Sequence, residues 1–372
     1  MSQKLALKKL TASDLTFFKW HLEHGSAGKQ KAINLNADIF IKKLYPNVPA
    51  IIEEKQGTIP LDLYIYGPGL SFEYNIQRKI QKRGSYKNYR LNGEFTPDPE
   101  EDSNRFHSLQ AGDFVIFDFV GEFEPTSARA IFIAQSLKID KNIHVALDKL
   151  ITTKSMIELS IRNLENLISI LNLPETHPIN LLKLATNLED AALGGIEGIK
   201  QLRIGPYKGK ISRQNLEQAK KNADRTGRLG EKFICVYLEQ KLHEGLIQEF
   251  IWEADSNAIA PYDFEITDLD GSKELIDVKS TKGNFNNTIH ISFNELLQMN
   301  ENNSYKIYRV FNIDDNDLSA NLRITDSINE FSRNIVEILE QLPKKIRSDG
   351  ISLPPSLLDF GETINLEFPD NI

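Results

Sequence analysis

Cysteine is almost absent from this chain, since Cys235 is the single one among 372 residues. No intramolecular disulfide can form, which excludes the small disulfide-stapled secreted proteins and fits a reducing compartment. No apolar run approaches the roughly 18–20 residues that a membrane-spanning helix needs. The first residues, MSQKLALKKLTASD, also lack the apolar segment of a signal peptide. The sequence therefore predicts a cytoplasmic protein without a membrane partner.

Positive charge is also scarce overall, because the net charge is −8. This value argues against a generic nucleic-acid coat protein, which would be basic. The imbalance is reversed locally, with 15 Lys and Arg against 9 Asp and Glu between Met1 and Pro99. We expect the basic residues of one tyrosine-rich stretch to bind double-stranded DNA. These residues are Arg78, Lys79, Lys82, Arg83, Lys87 and Arg90.

The length allows two or three domains, and the pattern changes twice along the chain. Short runs rich in Tyr, Ile and Phe predict a β-rich domain for DNA recognition over residues 1–140. Helical periodicity predicts a connector over 141–212, in which Ser155–Leu171 forms one helix. Residues 213–330 predict the order αβββαβ, and 331–372 a helix and tail. The expected fold class is thus a multidomain α+β protein.

Two aspartates and a lysine in the third segment have a spacing that suggests catalysis. Asp277 and Lys279 are two residues apart on one predicted strand, so they share a face, and Val278 points the other way. If the loop before this strand has three residues, Asp263 lies opposite Asp277 on the same face. If the loop is instead a two-residue Asp270–Gly271 turn, Asp263 faces Val278 and the three groups do not converge.

Such a set suits metal-dependent phosphodiester cleavage. Two carboxylates, from Asp263 and Asp277, can bind Mg²⁺ or Mn²⁺ and leave positions for water and a phosphate oxygen. Lys279 can hold the attacking water or stabilise developing negative charge. Glu231, on a preceding helix, is the candidate for a further acid. Because the side chains of Asp277 and Lys279 would face a hydrated cleft, we expect their substitution to leave the protein folded.

Four spaced segments carry a family resemblance. They are GRLGEKFICVYLE, PYDFEI, ELIDVKST and ISFNEL followed by YKIYRV, between about residues 220 and 315. Together they resemble the nuclease-like domain at the C-terminus of NO VEIN proteins, which is similar to the Mrr-like PD-(D/E)xK nucleases. The resemblance implies that Asp263 and Asp277 bind metal, that Lys279 is the catalytic lysine and that Glu231 is the helix acid. It assigns no role to Asn294 or Glu295.

The N-terminal region bears a fainter resemblance to another fold. LQAGDFVIFDF, residues 109–119, is similar to a late strand of the DNA-recognition pseudobarrels of restriction enzymes. A pseudobarrel-like domain would present its basic, strand-rich surface to the major groove of DNA.

These expectations combine into a Mg²⁺-dependent DNA endonuclease of restriction or anti-phage defence type. The N-terminal domain would select the site and the C-terminal α/β PD-(D/E)xK core would cut. A homodimer is expected because two nuclease domains are usually needed to cut both strands, and further defence-system subunits are possible partners. The alternative is a non-catalytic DNA-binding or scaffold module with a nuclease-like fold, which the acidic overall charge favours.

Overall fold

The computed structural model describes residues 4–28, 30–55, 57–71, 73–82, 84, 87–171, 173–204, 211, 213–257, 259–314, 318–343, 346 and 348–368. Its packing divides the chain into two compact units. The first contains the described residues of Met1–Ala185 and Arg203–Gly209. The second contains those of Thr186–Leu202 and Lys210–Ile372. The chain as a whole is a mixed α+β protein.

An eight-stranded, barrel-like sheet that is nearly closed forms the first unit. Its strands are β1 Lys4–Lys9, β2 Ala32–Leu35, β3 Thr58–Tyr66, β4 Tyr74–Gln81, β5 Tyr89–Asn92, β6 Phe114–Val120, β7 Ser127–Ile133 and β8 Met156–Glu158. They follow the spatial order β2-β5-β4-β3-β7-β6-β1-β8. The strands β2 and β8 are therefore its two edges, and they bound the seam where the sheet does not close.

Strand β6 shows why this sheet has a continuous apolar run in its middle. Phe117 and Phe119 pack on one face and Phe114 and Ile116 on the other, so both faces are buried. The charge of Asp118 is tolerated within this run because Arg129 of β7 lies opposite and forms an ion pair at 2.6 Å.

Short helices surround this sheet, and two longer ones cover one of its faces. The helices are α1 Ala12–Leu15, α2 Lys19–His24, α3 Ala37–Ile39 with a π-helical turn Phe40–Leu44, α4 Val48–Glu54, α5 Lys141–Leu150, α6 Ile161–Ile170 and a 3-10 helix Pro178–Lys183. Leu147 of α5 and Leu164 of α6 join the same buried cluster as Phe114. These parts of the predicted connector segment therefore pack into the first unit.

The single helix predicted over Ser155–Leu171 is wrong in its first part. Met156–Glu158 forms β8, which pairs with β1 through Lys8 and Met156, and α6 begins only after Ser160. Ser160 caps the helix by accepting a hydrogen bond from the Asn163 N–H at 3.2 Å. The apolar residues before it satisfy a strand pairing that helical periodicity does not reveal.

The second unit is a six-stranded mixed sheet with helices on both faces. Its elements are most of α7 Leu184–Ala192 and of α8 Ile196–Ile204, and all of α9 Arg213–His243, β9 Glu249–Trp252, α10 Glu253–Ser256, β10 Phe264–Thr267, β11 Lys273–Ser280, β12 Ile289–Ser292, α11 Phe293–Glu301, β13 Tyr305–Asp314, β14 Ser319–Ile324, α12 Asn329–Glu340, β15 Gly350–Leu353, a 3-10 turn Pro355–Leu357 and β16 Ile364–Glu367. The sheet order is β16-β14-β13-β11-β10-β9.

Two apolar clusters fix the layers of this unit. The helix α9 packs on one face of the sheet, where Phe233 and Ile234 meet Ile276 and Val278. Leu296 of α11 packs in the cluster on the other face. The predicted order αβββαβ omits β9, α10 and β14, which the structure adds to this part of the chain. In addition, β12 leaves the central sheet and pairs with β15 in a separate two-stranded sheet.

Candidate active site

The register between β10 and β11 brings Asp263 beside Asp277. The ladder pairs Phe264 with Ile276 and Thr267 with Lys273, which is the register of a three-residue loop, not of a two-residue turn. Within the loop, Gly271 has a φ of +84°, a conformation that glycine adopts without strain. Just before the ladder, the Asp263 Oδ2 accepts a hydrogen bond from the Val278 N–H at 2.7 Å.

Asp277 and Lys279 form an ion pair on the face that Asp263 also occupies. The Lys279 Nζ lies 2.8 Å from the Asp277 Oδ2. Between them, Val278 is buried against α9 on the opposite face, as the alternation of strand side chains requires. The expectation of a hydrated cleft is wrong for Asp277, whose side chain is only 5% exposed because the α11 layer covers this face.

Glu295 is the residue to which the sequence pattern assigned no role. Its Oε2 accepts a hydrogen bond from the Ser292 N–H at 2.7 Å, and the Ser292 hydroxyl accepts from the Glu295 N–H, which completes a capping box on α11. The other oxygen, Oε1, lies 3.0 Å from the Lys279 Nζ. The Ser-x-x-Glu spacing could have identified the cap, but no local signal joins it to Lys279.

These four residues, Asp263, Asp277, Lys279 and Glu295, are here called the acid–lysine cluster. Its three carboxylates face one ammonium group. Burial, reinforced by the charges of Glu231 and Glu295, raises the pKa of Asp263 to about 6, although the Val278 hydrogen bond and the Lys279 charge oppose the rise. Burial and the charge of Glu295 also raise the pKa of Asp277 well above its usual range. Three carboxylates against one ammonium group are therefore costly to ionise all together.

The lysine of the cluster responds in the opposite way. Burial works to lower the pKa of Lys279, but the charges of Asp277 and Glu295 outweigh it, so the net shift of this pKa is upward. Lys279 thus stays a cation at neutral pH, held between two carboxylate oxygens. A fixed ammonium in a poorly hydrated site is suited to stabilise negative charge on a bound phosphate.

Glu231 lies near the cluster without joining its ion pairs. Its Oε2 accepts hydrogen bonds from the Arg228 Nη1 at 2.9 Å and the Trp252 Nε1 at 3.2 Å. Its charge is close enough to raise the pKa of Asp263. The preceding Gly230 allows α9 to approach β11, because a Cβ atom there would overlap the Ser280 side chain, at 2.7 Å from its Cβ. The role of Glu231 as the helix acid of the site stays a prediction.

The carboxylate oxygens of the cluster suit a hard divalent cation that takes its remaining ligands from water and phosphate. Across the described part of the chain, no three His, Cys, Asp or Glu side chains are arranged to hold one metal ion by themselves. Mg²⁺ at nucleic-acid sites commonly takes one or two carboxylates and draws its other ligands from water and phosphate. Asp263 and Asp277 fit that requirement.

Those basic residues of the Arg78–Arg90 stretch that the structure describes do not form one continuous exposed face. Arg78 is half-buried, donates a hydrogen bond to the Thr96 hydroxyl at 2.8 Å and lies over the Phe17 ring. Burial lowers the pKa of its guanidinium. Lys79 is exposed on the opposite side of β4 because strand side chains alternate. Arg78 is therefore engaged in packing within its own unit.

The other basic residues of this stretch are divided between different surroundings. Lys82 is exposed, and its Nζ lies 5.6 Å from the centre of the Tyr89 ring. Lys87 forms an ion pair with Asp38 at 2.6 Å. Arg90 is half-buried on β5 and lines a polar cleft, and Arg83 lies outside the described residues. DNA binding by this set stays a prediction.

Comparison with protein families gives a match to part of the second unit. Residues 230–323 match the family described as Protein NO VEIN, C-terminal. The matched segment is about a quarter of the chain and contains Glu231 and the whole acid–lysine cluster. It supports the family name of the resemblance found in the sequence. No curated protein and no solved structure matches the chain. Among the described residues, no helix combines the length and apolar character needed to cross a membrane.

Proposed function

We propose that the second unit is a metal-dependent nuclease that hydrolyses phosphodiester bonds of DNA in a restriction or anti-phage defence system. The observation that carries this proposal is the convergence of Asp263, Asp277 and Lys279 on one face of the sheet. The Lys279 Nζ lies 2.8 Å from the Asp277 Oδ2. The Asp263 carboxylate accepts a hydrogen bond from the N–H of Val278, the residue between Asp277 and Lys279 on β11.

Each side chain has a distinct role in this proposal. Asp263 and Asp277 would hold Mg²⁺ or Mn²⁺, which when bound would polarise the phosphate and lower the pKa of a water ligand. Lys279 would stabilise the negative charge that develops on the phosphate during attack. Glu295 would hold the ammonium of Lys279 in place through its contact at 3.0 Å. Glu231 would support Asp263 from α9.

The electrostatics of the cluster support cation binding. A carboxylate whose pKa is raised to about 6 by burial and neighbouring acids is costly to ionise without a further positive charge. A bound divalent cation would supply that charge and lower the pKa of Asp263 again. Binding should therefore release protons near pH 6 and weaken as the pH falls below it.

The direct test is cleavage of plasmid and phage DNA with Mg²⁺ or Mn²⁺, with EDTA as the metal-free control. Asp277→Ala should abolish cleavage while DNA binding persists, since it removes a metal ligand. Lys279→Ala should lower turnover by orders of magnitude with little change in binding, because its charge counts mainly in the transition state. Both variants must be shown to fold, since both side chains are largely buried.

Two exposed residues of the same hairpin provide matched controls. Lys273 lies on the same strand as Lys279 but pairs with Glu265 at the surface. Asp270 lies in the loop and accepts a hydrogen bond from the Ser272 N–H at 2.9 Å. Lys273→Ala and Asp270→Ala should cut DNA like the parent protein. Folded Asp277→Ala and Lys279→Ala variants that cut equally well would rule out the nuclease proposal.

Two observations favour the alternative, a non-catalytic DNA-binding or scaffold module. Asp277 is buried, and across the described residues no group of three ligands is ready for a metal ion. In this alternative the pair between Asp277 and Lys279 stabilises the fold only. A parent protein that binds DNA, cuts none of the DNAs tested and gains no stability from Mg²⁺ or Mn²⁺ would support it.

The proposal also concerns assembly. Cutting both strands of a duplex usually requires two nuclease centres, so we expect a homodimer on double-stranded DNA. Measurement of mass in solution with and without a DNA duplex tests this expectation. A monomer on cleavable DNA that nicks only one strand would contradict the homodimer but not the nuclease chemistry.

A further inference from the structure

A polar cleft lies at the seam of the barrel-like sheet in the first unit. Its volume is about 300 Å³, at the lower end of the range for small-molecule sites. The lining residues come from β1, the start of α1, β2, β5 and the segment before β8, so the cleft joins both sides of the seam. It is separate in the chain from the acid–lysine cluster.

Asp14 connects the two sides of this seam. Its Oδ1 accepts a hydrogen bond from the Asn34 N–H of β2 at 2.8 Å. Its Oδ2 accepts from the Thr11 N–H at 2.9 Å and forms an ion pair with Lys8 of β1 at 3.1 Å. Both charged side chains of this pair are nearly inaccessible, with 3% of Lys8 and none of Asp14 exposed. Buried polar contacts of Asp14 thus hold β1 and β2 together at the seam.

Positive charge predominates in the cleft. Lys8, Lys87 and Arg90 line it together with Asp14, and because Lys8 and Asp14 neutralise each other, Lys87 and Arg90 carry the remaining positive charge of the lining. Arg90 lies opposite Asn34 in the pairing of β5 with β2, so the two side chains share a face. Asn88 adds a donor, because its amide oxygen accepts from the Ala37 N–H and its NH₂ group can donate to a ligand.

We propose that this seam cleft binds the phosphate group of a nucleotide. A guanidinium, from Arg90, and an ammonium group, from Lys87, beside a small polar space are groups that recognise phosphate oxygens, and arginine can bind them with two parallel hydrogen bonds. Asp14 does not prevent binding, because it is neutralised by Lys8 and by backbone donors. The volume admits one small ligand, so the cleft takes a single nucleotide unit.

Two sources can supply that phosphate, a free nucleotide or the 5′-phosphorylated end of a DNA strand. Calorimetric titration of the full chain with 5′-dAMP should give saturable binding, whereas deoxyadenosine should give none. A short oligonucleotide with a 5′-phosphate is then compared with the same oligonucleotide with a 5′-hydroxyl. Tighter binding of the phosphorylated form identifies the strand end, and binding of 5′-dAMP alone identifies the free nucleotide.

Two substitutions in the cleft and one control test whether 5′-dAMP binds there. Arg90→Gln should weaken 5′-dAMP binding at least about tenfold, because it removes charge-assisted hydrogen bonds. Lys87→Gln should weaken 5′-dAMP binding less, since Lys87 also pairs with Asp38. Because Lys87 is exposed, we expect this variant to fold. Lys138→Gln, an exposed lysine of the same unit that does not line the cleft, is the matched control.

Three results would overturn the inference. They are equal affinity for deoxyadenosine and 5′-dAMP, no binding of any phosphate-bearing probe at millimolar concentration, and unchanged binding in both folded cleft variants. If Arg90→Gln does not fold, Arg90→Lys takes its place and should retain part of the affinity. Because none of these measurements uses cleavage, they stand whether or not the second unit is a nuclease.

Discussion

Replacing Asp263 by asparagine should make the second unit more stable at neutral pH while removing a ligand of the proposed metal. The carboxylate has a pKa of about 6 in the folded protein and an ordinary value of 3.8. Each unit of difference corresponds to about 1.4 kcal/mol, so keeping this group ionised costs about 3 kcal/mol. Asparagine avoids that cost, and its amide oxygen can still accept the hydrogen bond from the Val278 N–H.

The pH dependence has a defined sign. Between about pH 4 and 6 the folded state keeps a proton that the unfolded chain releases, so the stability of the parent falls as the pH rises through this window. The advantage of Asp263→Asn should therefore be near zero below pH 4 and full above pH 6. Mg²⁺ should stabilise the parent at pH 7.5, by about 2.7 kcal/mol at one hundred times its dissociation constant, and should stabilise the variant much less.

Urea unfolding followed by tryptophan fluorescence can measure this. The chain has two tryptophans, and Trp252 stacks on Phe264 of β10, so a Trp20→Phe background confines the signal to the second unit. The control is Asp270→Asn, because hydrogen bonds from Ser272 lower the pKa of this exposed carboxyl and no gain is expected. A variant at Asp263 that is no more stable than the parent at pH 7.5 would refute the electrostatic reasoning.

Three further outcomes test the fold of the site and the DNA surface. Gly230→Ala should destabilise the second unit by about 1–3 kcal/mol through overpacking against the Oγ and Cβ atoms of Ser280. Ser280→Ala removes the nearer atom, Oγ, and keeps the Cβ, so it should rescue part of the loss in urea unfolding; no rescue at all would show that the close approach is not the cause. Glu231→Gln should slow DNA cleavage less than removal of a metal ligand does, and an equal effect would make it a direct ligand. Replacing the exposed Lys79 and Lys82 with alanine should lower the log–log salt dependence of DNA binding by about 0.9 for each phosphate that the variant no longer neutralises, whereas an unchanged slope would place the DNA surface elsewhere.

The sequence alone determined the local geometry of the candidate site. Asp277 and Lys279 are two residues apart on a strand, so they lie on one face, because strand side chains alternate between the two faces. The same alternation turns Val278 into the core.

Tertiary structure decided which distant groups meet. The sequence left two loop lengths open between β10 and β11, and the pairing selected the three-residue loop that puts Asp263 beside Asp277. Glu295 reached Lys279 through the packing of α11 on the sheet, although its spacing from Ser292 explains only the helix cap. Packing on that face also buried Asp277, which no pattern in its own strand foretold.

The same distinction holds in the first unit. Alternation placed Arg78 and Lys79 on opposite sides of β4, but only the fold turned Arg78 toward Phe17 and left Lys79 exposed. Met156–Glu158 became a strand because β1 offered unpaired backbone groups, a requirement that arises far away in the chain. Periodicity reports how a segment can bury its own apolar side, whereas the partner that buries it is set by the packing of the whole unit.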